Sequence, residues 1–71
     1  MNIHDVAMVE CGGVWFTVTG FDYLRQVWLV MVYDGQRKDH PPVYRQACIS
    51  DANVLQYMDR AGNTNWGVLY E

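Results

Sequence analysis

Residues 6–19 read VAMVECGGVWFTVT, two apolar runs on either side of Gly12-Gly13. Two successive glycines suit the positive φ angles of a two-residue hairpin turn. Such a turn pairs Val9 with Phe16 and Met8 with Thr17, and it makes one face of the hairpin wholly apolar and the other mixed. That pattern is typical of an antiparallel sheet with one buried face. The stretch therefore predicts a hairpin with strands at Val6–Cys11 and Val14–Thr19.

A third apolar segment, residues 26–33, reads QVWLVMVY and is followed by the turn dipeptide Asp34-Gly35. Its β-branched and aromatic residues favour a strand. A helix stays open as the alternative, because four apolar residues recur at three- and four-residue spacing: Phe21, Leu24, Trp28 and Met31. As a strand the segment is apolar on both faces, so both faces need cover from a helix or from another protein.

The second half of the chain predicts a loop, a strand, a helix and a closing strand. The loop at 36–42 ends in two prolines, and the strand covers Val43–Ile49. Ser50 or Asp51 can cap a helix over Asp51–Ala61. An apolar stripe that includes Leu55 and Met58 would face the core, with Gln56 and Asp59 exposed. Residues 66–70 form the fifth strand.

The predicted fold class is therefore α+β and β-rich, in one domain over residues 1–71. A four-strand antiparallel meander is followed by one short helix and a fifth strand, in the order β-β-β-β-α-β. This order resembles that of the SH3-like small barrels. An open sheet with the helix on one face fits the same pattern.

Composition limits the classes of function. The chain has 71 residues, eight acidic and five basic, and a net charge of −3. No apolar run is long enough to span a bilayer, and the N-terminus lacks the order of a signal peptide, so a cytoplasmic location is expected. Cys11 and Cys48 lack CxxC spacing, and two histidines add no zinc ligand set. We expect no metal and no cofactor, and whether the two cysteines are bridged stays open.

Catalytic motifs are not present in the sequence. It contains no glycine-rich phosphate loop, no GxSxG and no HExxH. Both cysteines fall within predicted strands, where a thiol is normally inert. The prediction is a protein that is not an enzyme.

Large aromatic and sulphur-containing side chains instead indicate a protein-binding surface, since Trp, Tyr and Met are enriched at interfaces. The candidate interface residues are Met8, Trp15, Tyr44, Trp66 and Tyr70. A small domain with an uncovered apolar strand also predicts self-association, most simply as a homodimer. The brevity of the chain resembles that of small accessory proteins of phages and mobile elements, which implies an inhibitor-type or adaptor role toward an unidentified protein.

The alternative is a small barrel that binds single-stranded nucleic acid. Its candidate contacts are Arg37, Lys38 and His40 in the 36–40 loop, together with exposed aromatic side chains on which bases could stack. The negative net charge opposes this function. Nucleic acid is therefore the less favoured partner.

Overall fold

The computed structural model describes residues 2–35, 39, 41 and 43–65, which form one antiparallel sheet. Five strands and a short sixth follow in chain order: β1 Val6–Cys11, β2 Val14–Asp22, β3 Val27–Asp34, β4 Val43–Ser50, β5 Gln56–Asp59 and β6 Thr64–Asn65. Two 3-10 turns, Ile3–Asp5 and Asp51–Asn53, precede β1 and β5.

The predicted hairpin is confirmed in turn and in register. Gly12 and Gly13 have φ angles of 61° and 83°, the left-handed values that a two-residue turn needs. Val9 lies opposite Phe16, and Met8 lies opposite Thr17. The third and fourth predicted strands are also present as β3 and β4, so the helical alternative for residues 21–33 is wrong.

The sheet is open. Its strand order is β4-β3-β2-β1-β5-β6, which leaves β4 and β6 at the two edges among the described residues. The pairing therefore does not confirm an SH3-like barrel. The register shifts once between β1 and β5, at Val6/Met8, and once between β2 and β3, at Val18/Gly20. Such bulges increase the local twist of a sheet.

The core lies on one side of the sheet, which we call the core face. Val9, Trp28 and Val30 are fully buried there, and Tyr57 is nearly so. Val9 lies opposite both Phe16 and Tyr57, which places three neighbouring strands against the same core. Ile3 and Val6 complete the buried cluster, and Val54 packs against it.

The predicted helix over Asp51–Ala61 is wrong. After the 3-10 turn the backbone becomes extended at Val54, and the Leu55 N–H donates to the Glu10 carbonyl over 2.9 Å. Tyr57 is buried, whereas Leu55 is 56% exposed. The physical reason is the free edge of β1, whose backbone groups need partners that an extended segment can supply and a helix cannot.

The end of the predicted helix is also reassigned. Gly62, expected to follow a helix, has a φ of 88° in the turn between β5 and β6. Asp59 Oδ1 stabilises this turn by accepting from the backbone N–H groups of Ala61 and Asn63, each over 2.9 Å. Thr64 and Asn65, expected in a turn, pair with β5. The predicted strand at 66–70 lies outside the described residues.

The second face of β3 is not covered. Trp28 and Val30 point into the core, but Met31 and Tyr33 on the other side are exposed. We call this second side of the sheet the open face. No helix covers this face among the described residues, so the cover by another protein that the sequence suggests stays a prediction.

Candidate protein-binding groove

Two neighbouring strands of the sheet, β2 and β3, separate at one end. Within the described residues, the pairing of β2 with β3 ends at Thr17 and Met31. β2 stays paired with β1 as far as Val14, and β3 stays paired with β4 as far as Asp34. Each hairpin therefore remains intact while the two hairpin ends diverge from each other.

A groove of about 550 Å³ lies between the separated ends of β2 and β3. Its walls are the start of β2, the end of β3 and one residue of β4. The lining residues are Val14, Trp15, Phe16, Thr17, Met31, Val32, Tyr33 and Tyr44. All eight are uncharged, and seven are large and apolar or aromatic. The volume falls within the usual range for ligand and peptide sites.

Aromatic side chains form the outer wall of the groove. The Tyr33 and Tyr44 rings lie opposite each other on β3 and β4, with centroids 5.2 Å apart and planes inclined by 53°. Tyr33 is 58% exposed and Tyr44 is 62% exposed. The ring of Tyr33 lies so close to the Gly35 backbone that a Cβ atom at residue 35 would overlap it. Gly35 therefore allows the position that this ring takes beside the groove.

Backbone groups add to the apolar lining. Since β2 and β3 pair with each other only up to Thr17 and Met31, Trp15 and Phe16 on one wall do not pair with Val32 and Tyr33 on the other. Strand edges of this kind present N–H and C=O groups to an incoming extended chain. The groove therefore combines apolar surface with two short stretches of strand edge.

The structure brings together two of the predicted interface residues. Trp15 and Tyr44 line the groove from opposite walls. Met8 is half-buried on the open face, between Thr17 and Met58 in the neighbouring strands, and does not line the groove. Trp66 and Tyr70 lie outside the described residues, as do Arg37, Lys38 and His40 of the alternative nucleic-acid loop.

Sequence reasoning missed Val14, Met31 and Tyr33 as groove residues. A signal for two of them was present, because Met31 and Tyr33 share a face of a strand that is apolar on both sides. Phe16 was expected in the core alone, but it packs against the core and also lines the groove. The divergence of β2 from β3 left no mark in the sequence.

A second, smaller cavity of about 250 Å³ opens at the other end of β2. Trp28 and Phe21 form part of its wall, and His4, Tyr23 and Arg60 supply polar groups. The Tyr23 hydroxyl and His4 Nε2 are 3.4 Å apart, and both residues are exposed. The described lining also contains the Thr19 hydroxyl, which donates to the Leu29 carbonyl over 3.2 Å.

Charged contacts lie away from the groove. Arg25 Nε donates to Asp22 Oδ2 over 2.9 Å, and this bond lowers the pKa of Asp22 and raises that of Arg25.

Glu10 has a buried carboxylate oxygen, Oε2, with no hydrogen-bond partner among the described residues. Both cysteines are free thiols, Cys11 half-buried and Cys48 exposed. In the described ranges, no three His, Cys, Asp or Glu side chains group as metal ligands would.

Comparison with known proteins adds no relative: no family model, no curated protein and no solved structure matches the chain. The part of the chain that the structure describes has no helix with the length and apolar character needed to cross a membrane. The groove itself is therefore the basis for a functional interpretation.

Proposed function

We propose that the protein is a non-enzymatic binding module that holds an extended, uncharged segment of a partner protein in the groove between β2 and β3. The observation that supports this proposal is the divergence of these strands beyond Thr17 and Met31. It creates a site with the two features that strand-like peptides require, apolar surface and adjacent backbone donors and acceptors.

The side chains favour a protein segment over other ligands. Trp15 and Tyr33 supply large aromatic surfaces that lose little conformational entropy on binding, and Met31 adapts to different shapes. Among the described residues, the lining has no cation to hold a phosphate and no carboxylate to hold an amine. Apolar side chains of a partner, rather than charged groups, complement such a lining.

The wider role in the proposal is that of a small accessory or inhibitor-type protein of phage or mobile-element style, located in the cytoplasm. A module of this size acts by occupying a surface of another protein. Self-association as a homodimer is part of the same proposal, because the exposed apolar surface includes Val43 on β4 beside the groove residues Tyr33 and Tyr44.

An array of short synthetic peptides provides the test of the groove. We expect binding to peptides that are extended, apolar and uncharged, with little binding to charged peptides of equal length. Chemical-shift changes on binding should be concentrated at residues 14–17 and 31–33. Tyr33→Ser should weaken binding by about tenfold or more, as loss of an interface anchor does.

Tyr23→Ser is the matched control, because Tyr23 is 54% exposed but lies at the other cavity. Equal loss of binding in the two variants, or no peptide binding at all, would contradict the proposal. A single-stranded oligonucleotide serves as the competing probe. Salt-sensitive binding of the oligonucleotide would favour the nucleic-acid alternative instead.

A further inference from the structure

The edge strand β4 offers a second surface for association. β4 pairs with β3 without a break in register, from Val27 and Ser50 to Asp34 and Val43. Its other side has no partner strand among the described residues, and six of its eight residues are exposed. A long, regular edge is a template for another strand, unless bulges, covering elements or several charges protect it. β4 has no bulge against β3, and Arg45 is its one charged residue.

We propose that two copies of this chain pair antiparallel through β4, about a two-fold axis at Gln46. This inference deepens the self-association in the proposed function, and it does not depend on the groove. Because this axis is perpendicular to the sheet, the core faces of the two copies lie on the same side of the joined sheet. Each β4 residue therefore pairs with a residue of the second copy that lies on the same face. With the axis at Gln46, the paired segment covers residues 43–49 in both copies.

The side chains of β4 are self-complementary in this register. Val43 lies opposite Ile49 of the second copy, and Arg45 lies opposite Ala47, so the two arginines are not apposed. Directly apposed like charges would destabilise the pairing. The two Gln46 amides meet at the axis, where each can donate and accept a hydrogen bond. In the single chain the Gln46 amide contacts Thr19 Oγ1 only at 3.5 Å, so it can be redirected at little cost.

The apposition of apolar residues favours this register over its neighbour. Moving the axis to Ala47 would place Arg45 against Ile49 and Tyr44 against Ser50. An axis at Gln46 instead pairs Val43 with Ile49 on the core face and sets Arg45 against the small Ala47, with Tyr44 against Cys48 on the open face. A second copy therefore extends the sheet and joins the exposed apolar side chains of both copies.

Cross-linking of the full chain tests the register. With both native cysteines replaced by serine, Gln46→Cys should give dimers with a short bifunctional maleimide, because Cβ atoms at the axis lie about 5 Å apart. Ser50→Cys is the matched control on the same face and strand. In the proposed dimer the two thiols of this variant would lie about 27 Å apart, so it should give no cross-linked dimer. Ser50 makes no side-chain capping bond, which makes this substitution mild.

Sedimentation over a range of concentrations measures the association itself. The native chain should form a dimer, and Gln46→Lys should weaken it by about two- to fivefold through apposed charges at the axis. The loss of dimer affinity in Gln46→Lys should be smaller at high salt. Ser50→Lys should change the dimer affinity little. A chain that is monomeric at every concentration would overturn both this inference and the proposed self-association. The proposal that the groove binds peptides would be unaffected, because the peptide array tests it independently. A dimer that cross-links equally through Ser50→Cys, or not through Gln46→Cys, would overturn the β4 interface alone.

Discussion

The Trp28 indole N–H donates to Asp51 Oδ1 over 2.8 Å, and the same oxygen accepts from the Tyr57 hydroxyl over 2.6 Å. One carboxylate thus joins β3 to β5 across the core. Trp28 is fully buried and Tyr57 nearly so, and their rings also contact each other with centroids 5.8 Å apart. The two hydrogen bonds to Asp51 fix its 3-10 turn against the sheet, just before the chain pairs with β1 as strand β5.

Removal of the Asp51 carboxylate should destabilise the fold. Asp51→Ala takes the shared acceptor from two buried donors, which should lower the free energy of unfolding by about 2–4 kcal/mol. Asp51→Asn keeps one acceptor oxygen and should cost less. Urea denaturation measures both. Asp5→Ala, at an exposed position, is the control and should stay within about 0.5 kcal/mol of the native chain; an equal loss there would contradict this role for Asp51.

Substitutions at Leu55 and Tyr57 distinguish the observed strand from the helix that the sequence predicts. Tyr57→Ala removes a buried ring and should cost about 3–5 kcal/mol. Leu55→Ala changes an exposed side chain and should cost less than about 1 kcal/mol. Thermal or urea unfolding gives both values. A severe loss in Leu55→Ala with a mild one in Tyr57→Ala would support the amphipathic helix and contradict β5.

A glycine at residue 26 should stabilise the turn between β2 and β3. Gln26 has a φ of 52°, in the left-handed region that glycine adopts without steric cost. Its carbonyl still accepts from the Asp51 N–H in the variant, since that contact is a backbone one. Gln26→Gly should raise the free energy of unfolding by about 0.5–1 kcal/mol. Gly13→Ala, at a φ of 83°, should have the opposite effect, and a loss of stability in Gln26→Gly would contradict the argument.

The Asp22 carboxylate should titrate below its ordinary pKa of 3.8, chiefly because the Arg25 side chain donates to it. A depressed pKa in the folded state favours folding above the ordinary pKa, and this contribution is lost as the pH falls through the folded value. Arg25→Ala should raise the pKa of Asp22. The pKa should nonetheless stay below 3.8, because the backbone N–H groups of Leu24 and Arg25 still donate to Oδ1. NMR titration of the carboxyl carbon measures the shift, and an unchanged pKa would show that the side-chain bond is not formed in solution.

Local sequence patterns predict the first hairpin and favour the third strand. Gly12-Gly13 and the alternation around it fix the first hairpin and its register, because a one-residue slip would turn Val9 and Phe16 out of the core. The β-branched run at 27–33 favours the strand that the structure shows, although its apolar spacing also allowed a helix. Trp15 and Tyr44, which the sequence predicts as interface residues, both line the groove, and their role in binding stays a prediction.

The rest of the fold depends on contacts between segments that are distant in the sequence. Residues 51–61 carry helical spacing, but the unpaired edge of β1 and the donors on Trp28 and Tyr57 draw them into a turn and a strand, since buried polar groups need partners. The groove depends on where β2 and β3 stop pairing. The register shift at Val18/Gly20 lies next to this point, and such a bulge increases the local twist of a sheet. Local sequence specifies each hairpin, but the space between two hairpins is a property of their packing.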